Sequence, residues 1–574
     1  MVRNHDTTRD NQRVISDNRD SMSDLNSTVS RYSLSSLNND VDNLPFPITT
    51  NIIIIFINST LGGLLFGYDT GIISGILSSL KPQDLSRTRL TDFDKELVTS
   101  MTSIGSFFGS ILGFPLADKF GRKKTLTICN FLFIFASLWM ALSINLPLLI
   151  LGRFFIGIAI GLSAQCVPIY LSELSPTNIR GRILAINVIA ITSGQLFAYI
   201  ISYLLIKIEP YPALSLESNT QVWRYLFGFS AIPALIFILF LDFMPESPRW
   251  LVLKGDLNAA HKSLSVIYSK APSFMILIKL RKLIIDITKL KDEDTYPDSS
   301  QVAIEDSNPE QPLCSRQNSN NYEAIPHQNI SNVGASDISL DGLRTLFSKD
   351  TKSFKTKFQC MDMNTKRALL IGCVLMFFQQ ITGFNAFMYY INLIFARINI
   401  ENPLIPAIVV AFTNVLFTIV SMLCVDKIGR RTMLLYTILI MTVGLLMCSM
   451  AFKYDNPRLA IISTVIFVAA YAIAMGSIPW NSVELLPLKY RSLGASCISC
   501  TNWFTNSIIS MSYLSIMNKI GNAKTMLIFA TFTVLNWVFV YNWYPEVKGL
   551  SLEEIREVFQ DGINVHYVYK KYNI

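Results

Sequence analysis

The chain has 574 residues, is 51% hydrophobic and only 16% charged, and carries a formal net charge of +8. A soluble chain of this length usually splits into several domains with about 25% charged residues; here the apolar residues gather in long runs, and the bilayer is the solvent. The placement of the basic residues excludes a nucleic-acid partner. Lys119, Arg122, Lys123 and Lys124 share one short loop, Lys427, Arg430 and Arg431 share another, and nearly neutral loops lie between them, as the positive-inside rule requires of a polytopic chain.

Residues 1–48 are polar, rich in Asn, Asp and Ser, with no apolar stretch of signal-peptide type. The first hydrophobic helix is therefore expected to act as its own insertion signal. Runs long enough to cross the hydrocarbon core, about 20 apolar residues each, fall at 52–80, 97–117, 125–143, 147–171, 184–206 and 223–243. A second set falls at 369–396, 404–424, 433–453, 458–483, 493–517 and 524–544. Glycines 105, 109 and 113, and glycines 157 and 161, recur at i, i+4 spacing and suit close helix approach.

The segment between the two sets is polar and too long for a tight connection. Residues 254–291 place Ile276, Ile278, Leu280, Leu283 and Ile287 among lysines and arginines, a pattern of amphipathic helices. Residues 292–342 are expected to be disordered, and their serines to be open to modification. The expected layout is thus a tail at 1–48, a six-helix bundle at 49–248, a cytosolic loop at 249–366, a second bundle at 367–546 and a tail at 547–574. The nine cysteines imply no external disulfide framework, and Cys497 and Cys500, despite their spacing, read as packing residues of a membrane helix. The sequons at Asn26, Asn58 and Asn329 are expected to stay unglycosylated.

The two sets of spans repeat one another. Asp118-Lys119-Phe120-Gly121-Arg122 recurs as Asp426-Lys427-Ile428-Gly429-Arg430. Glu173, Pro176 and Arg180 recur at the same spacing as Glu484, Pro487 and Arg491, and Pro245-Glu246 recurs as Pro545-Glu546. Three motifs in one order at nearly constant offset mark a duplicated six-helix unit. The expected fold is an all-α membrane protein of 12 transmembrane helices in two pseudo-symmetric six-helix bundles, with a ligand between the halves. The repeated charges gather at one membrane side, where they either set orientation or form a closing network of Asp118, Arg122, Glu173, Arg180, Glu246, Arg249, Asp426, Arg430, Glu484 and Arg491.

Phe66-Gly67-Tyr68-Asp69-Thr70-Gly71, Pro245-Glu246-Ser247-Pro248-Arg249-Trp250, Gln379-Gln380-Ile381-Thr382-Gly383-Phe384-Asn385 and Ile478-Pro479-Trp480 resemble the sugar porter family of the major facilitator superfamily. The resemblance runs over roughly residues 50 to 560. Within the family it looks most like fungal proton–myo-inositol symporters, on Lys254-Gly255-Asp256-Leu257, on residues 367–373 and on Gly549-Leu550-Ser551-Leu552-Glu553-Glu554 with Asp561-Gly562. One position departs from the family pattern: Phe114 stands where the loop motif has Gly, with Gly113 one step earlier.

Asp69 is an ionisable residue in an apolar helix, which costs about 2.5–3.5 kcal/mol or more unless it is neutralised or paired. The resemblance assigns it Arg153 as its cation, and the pair is either a proton-coupling site or a permanent structural ion pair. The resemblance also implies substrate contacts from Gln195, Gln379, Gln380, Asn385, Asn414, Trp480 and Asn502, and an extracellular gate at Tyr389 and Tyr390. Amides suit polyol hydroxyls because both donate and accept hydrogen bonds, and an indole offers a face and a donor. The function implied is proton-coupled uptake of a polyol, myo-inositol above all, by a monomer in the plasma membrane with both termini cytosolic. A hexose carrier, a passive facilitator, a sensor that scarcely transports and a vacuolar location are the alternatives. No nucleotide-binding loop, enzymatic motif or cofactor site is recognised.

Overall fold

A computed structural model describes residues 50–176, 179–208, 221–269, 271, 273–295, 361–487, 490–548 and 550, with six positions of the C-terminal tail. The expected tail at 1–48 and nearly all of the expected disordered segment at 292–342 lie outside the described residues. The first half contains α1 (Thr50–Ser79), α2 (Asp92–Phe120), α3 (Arg122–Ala141), α4 (Leu146–Leu174), α5 (Arg180–Ile208), α6 (Val222–Phe229) and α7 (Ala231–Leu239). Three shorter helices follow: α8 (Pro248–Lys254), α9 (Leu257–Ile267) and α10 (Ser273–Thr295). The second half contains α11 (Met363–Ile381), α12 (Phe384–Ala396), α13 (Leu404–Ile428), α14 (Arg430–Lys453), α15 (Pro457–Ala470), α16 (Ile478–Asn481), α17 (Arg491–Ile520) and α18 (Asn522–Trp543).

Among the described residues, 11 helical stretches are long and apolar enough to cross a membrane, counting α6 with α7, α11 with α12, and α15 through Leu485 as one stretch each. A further long helix, α17, has 30 residues and is rich in Ser, Thr and Asn. With it the structure has six spans in each half. A polar helix survives among apolar ones only if its polar face meets protein, and Ser499, Asn502, Thr505, Asn506 and Ser510 of α17 are all buried.

Both halves belong to one compact unit, Ile54–Glu173, Arg180–Met244 and Lys352–Ile574. Within it α2 packs along α17 and α5 along α13, which joins the halves. Inside the first half, α2 and α4 touch backbone to backbone. A Cβ on Gly105 or Gly109 would strike the carbonyl oxygens of Phe154 or Ile158, and one on Gly157 would strike that of Thr102. Asn58, the sequon residue in α1, is buried and donates to the Phe237 carbonyl oxygen at 3.2 Å.

Two interruptions of the second half shape its interior. The chain turns between α11 and α12 at Gly383, whose φ of +81° is in the left-handed region where a side chain is strained. This places Gln379 and Gln380 in the last turn of α11 and Asn385 in the first turn of α12. After α15 the helix widens into a π segment at Tyr471–Met475, then breaks at Ser477 before Pro479. Proline lacks the amide that would continue the ladder, and π segments occur mostly at functional places.

The second compact unit includes α8 to α10. Ser247 caps α8 by accepting from the Trp250 amide at 3.2 Å, Asp256 caps α9 by accepting from Ala259 at 3.0 Å, and Ser263 Oγ donates to the Glu246 carbonyl oxygen at 2.6 Å. In α10, Ile276, Leu280, Ile284 and Ile287 are buried, with Arg281 beside them. The expected amphipathic pattern is therefore helical. Ile278 and Leu283 are half-buried.

The α2–α4 contact gives a test. Gly157→Ala should destabilise the protein by about 1–3 kcal/mol, the usual cost of forcing atoms into a packed contact. Gly181→Ala, where a Cβ meets nothing within 4 Å, should leave stability unchanged. Thermal denaturation of the two purified variants in one detergent measures the difference.

Candidate functional site

The buried centre of the first half is an ion pair. Asp69 sits in the middle of α1 and Arg153 in the first third of α4, and Nη1 of Arg153 lies 2.6 Å from Oδ1 of Asp69, with both side chains 2% exposed. Arg153 Nε donates to the Val98 carbonyl oxygen at 3.1 Å, and its guanidinium lies 5.9 Å from the Phe227 ring centroid. The arginine is thus held from α2 and α6 as well as from Asp69. The other carboxylate oxygen, Oδ2, is buried without a hydrogen-bond partner among the described residues.

The amides expected to meet a ligand fall into two hydrogen-bonded groups. Asn385 Nδ2 donates to Gln380 Oε1 at 2.7 Å, and Gln380 Nε2 donates to Asn502 Oδ1 of α17. Gln379 Nε2 donates to the Met475 carbonyl oxygen at 2.6 Å, in the π segment. Asn414 Nδ2 of α13 donates to Gln195 Oε1 of α5 at 3.1 Å, which ties the second half to the first. Gln195, Gln379, Gln380, Asn414 and Asn502 are buried, whereas Asn385 and Trp480 are half-buried. The amides satisfy one another, as buried polar groups must. A ligand rich in hydroxyls can replace those bonds one for one.

Trp503 escaped the sequence reading. Its ring meets Phe66 of α1 edge to face, with centroids 5.3 Å apart, and its buried Nε1 has no hydrogen-bond partner among the described residues. A buried indole N–H usually finds an acceptor. Its only sequence signal is adjacency to Asn502.

Tyr389 and Tyr390 are buried in α12. Tyr389 OH accepts from Asn506 Nδ2 at 3.0 Å, and Tyr390 OH donates to the Ser510 carbonyl oxygen at 2.9 Å while its ring stacks on Tyr513 at 5.6 Å. Tyr199 OH of α5 donates to the Met388 carbonyl oxygen at 2.8 Å, a bond between the halves.

The repeated charges pair within each half. Arg122 lies 3.3 Å from Asp118 and 3.0 Å from Glu173; Arg430 lies 3.3 Å from Asp426 and 3.6 Å from Glu484. Arg491 Nε donates to the Leu486 carbonyl oxygen at 3.2 Å, and Arg180 is the first residue of α5. A cavity of about 470 Å³ is lined by Asp426, Arg430, Glu484, Arg491 and Lys548. Glu246 and Arg249 belong to the other compact unit, where Glu246 Oε1 accepts from the Ser247 amide at 3.0 Å. Phe114 is half-buried, and Gly113 holds the close approach to Gln165 of α4, where an added Cβ would lie 3.2 Å from the Gln165 Cβ.

Glu546 was legible as a repeated motif but not as a helix cap. Its Oε1 accepts from the Arg430, Val547 and Lys548 amides at 3.0–3.2 Å, and its Oε2 from the Arg431 amide at 3.0 Å. The carboxylate meets the unsatisfied amides and the positive dipole end of α14. Gly429, at φ +101°, has room for nothing larger, because a Cβ there would meet the Glu546 carboxylate.

With this geometry in view, comparisons with known proteins are specific. The profile of the family described as sugar (and other) transporter matches residues 55–279 and 328–559. A probable metabolite transport protein of Saccharomyces cerevisiae is 51% identical over 569 residues, covering 97% of this chain and 99% of that protein. Myo-inositol transporter 2 of Schizosaccharomyces pombe is 34% identical, covering 88% of this chain and 80% of its own length. Among solved structures, the inward open conformation of the xylose transporter XylE from E. coli superposes with a TM-score of 0.63 at 26% identity, over 87% of this chain and 98% of that one.

The Glu546 cap predicts a graded loss. Glu546→Ala removes a charged acceptor from several amides and should lower stability by about 1.5–3 kcal/mol, the worth of one charge-assisted hydrogen bond. Glu546→Gln, which keeps one acceptor oxygen, should lose less. Thermal melts of both variants in the same lipid nanodiscs check the order.

Proposed function

The chain belongs to the sugar transporter family, and we propose that within it the protein is a proton-coupled carrier of a polyol, myo-inositol by preference, working by alternating access. The observation that carries this reading is the buried Asp69–Arg153 pair with one carboxylate oxygen left unpartnered. A permanent structural pair would be expected to use both oxygens. An oxygen without a partner favours a group that takes up a proton in one facing state and yields it in the other.

The amides support the substrate class. Gln379, Gln380, Asn385, Asn414, Asn502 and Gln195 offer neutral donors and acceptors, so binding is reversible and does not select a charged ligand. Trp480 would lie against the C–H face of the ring, and Trp503 would offer its unpartnered N–H. The relatives named as myo-inositol transporters favour an inositol over a hexose. Tyr389 and Tyr390 would close the pocket toward the outside, and the repeated charge pairs toward the cytosol.

By the positive-inside rule the ends of the helices bearing Lys119–Lys124 and Lys427–Arg431 face the cytosol. Both termini and the segment joining the halves then lie there too, and the plasma membrane is the proposed location. An epitope inserted in that joining segment should be reached by antibody only after permeabilisation. Staining of intact cells would reverse the topology.

Asp69→Asn separates coupling from binding. The variant keeps size and hydrogen bonding but has no carboxyl to titrate. It should lose uphill, pH-dependent accumulation of labelled inositol while still exchanging it down a gradient, since alternating access needs only the substrate's own differential binding. Concentrative uptake at the parental level would return Asp69 to a structural role. Gln380→Ala should act differently, raising the half-saturation concentration about 2- to 12-fold, as loss of one hydrogen bond implies, with the residual transport still proton-dependent. Uptake kinetics in cells lacking their own inositol and hexose carriers measure both.

A further inference from the structure

Glu96 belongs to neither the ion pair nor the hydrogen-bonded amides, yet it is one of the least exposed acids in the protein. It lies in the second turn of α2 with 0% of its surface exposed. Its Oε1 accepts from the Ser515 backbone amide and its Oε2 from the Ser515 hydroxyl, both at 2.7 Å. Ser515 belongs to α17, so the bond joins the first half to the second.

The contact is part of a series. One turn earlier on α2, Asp92 accepts from Asn518 Nδ2; two turns further on, Ser103 Oγ accepts from Asn506 Nδ2 at 3.0 Å. The pairs step in opposite directions along two antiparallel helices, so they form one seam. The seam lies at the end of α2 remote from the Asp118–Arg122 loop. Asn506 also donates to Tyr389 OH, and Tyr390 OH donates to Ser510. The tyrosines of α12 therefore rest on the same stretch of α17.

Of the residues in this seam, Glu96 alone pairs a full carboxyl group with complete burial. Its two oxygens depend on a single residue of the opposite half, so parting the halves removes both bonds together. A buried carboxyl group left unpaired is costly. Water can replace Ser515 only once the end is open. Glu96 is thus satisfied when the halves are closed here and when they are fully parted, but not in between. That makes the seam two-state.

We propose that Glu96 is the latch of this gate, a positioning residue outside the substrate amides and the Asp69–Arg153 pair that sets how the carrier is shared between its two facing states. The proposal rests on the transport reading. Thr99→Cys provides the reporter, because Thr99 is buried in α2 one turn from Glu96. A membrane-impermeant thiol reagent is added to intact cells without substrate, and labelling is measured against the parent with native cysteines only. Glu96→Ala should raise the labelling rate of the thiol introduced at position 99 by about 2- to 12-fold for each bond lost, and lower the half-saturation concentration for entry. Ser515→Ala keeps the backbone donor and should give a smaller rise in the same direction. Glu96→Gln should stay near the parent, because its amide can accept from the Ser515 N–H and donate to the hydroxyl. Unchanged labelling in Glu96→Ala and Ser515→Ala would overturn the latch, as would Glu96→Gln labelling as fast as Glu96→Ala. Should Glu96→Ala fail to reach the membrane, Ser515→Ala decides alone. A protein that carries no polyol yet shows the labelling shift would refute the polyol assignment and leave the latch standing.

Discussion

Inside a bilayer a polar group has neither water nor lipid to bond to, and this scarcity of partners shapes the bundle. Most buried acids, amides and hydroxyls must therefore be paired within the protein. Because the two halves meet along α2–α17 and α5–α13, many of those partners lie on the opposite half. Asn414 bonds Gln195, Tyr199 bonds the Met388 backbone, Ser515 bonds Glu96 and Asn506 bonds Ser103. The bonds that hold the structure in its present conformation are the ones that relative motion of the halves would break. Stability of one state and access to the other are thus set by the same small set of side chains.

The helices differ in how they meet this constraint. α2 and α4 bring backbones together through Gly105, Gly109 and Gly157, and need few polar side chains between them. Such a contact is short-range and shape-specific, so it keeps the first half rigid. α17 does the reverse. It crosses with Ser, Thr and Asn on its buried face and is the least apolar of the spanning helices. Its contacts with the first half include, beside the Phe66–Trp503 ring contact, hydrogen bonds that can be exchanged for water or for a hydroxylated ligand. A rigid half built on glycine contacts and an interface built on exchangeable bonds together permit rocking without unfolding.

Much of the fold was legible in the sequence because bilayer thickness and duplication are strong constraints. The twelve spans and their six-plus-six division follow from apolar run length and from motifs that recur in order. The Asp69–Arg153 pair was expected from resemblance, and the two side chains lie 2.6 Å apart. What escaped the sequence has a physical reason. Glu96 follows Asp92, Asp94 and Lys95, and a run of charges reads as a solvated loop; the helix in fact begins at Asp92 and carries Glu96 inward. Glu546 sits after the last span, where acidity looks like surface charge, yet it is 2% exposed because it answers the amides of a helix more than a hundred residues earlier. Long-range partners of that kind leave no periodicity to read.

The same distinction separates the two acids of the bundle interior. Asp69 meets a cation, so its charge is compensated electrostatically from α4, within its own half. Glu96 meets only a neutral residue, and that residue belongs to the other half. A carboxyl group held by neutral donors gains less than one held by a guanidinium, and it loses everything when the donors move away. Asp69 is therefore compensated from within its own half, whereas Glu96 depends on contact between the halves. A carrier that couples a proton to a substrate needs both kinds of group, because a proton site alone leaves the two facing states free to mix.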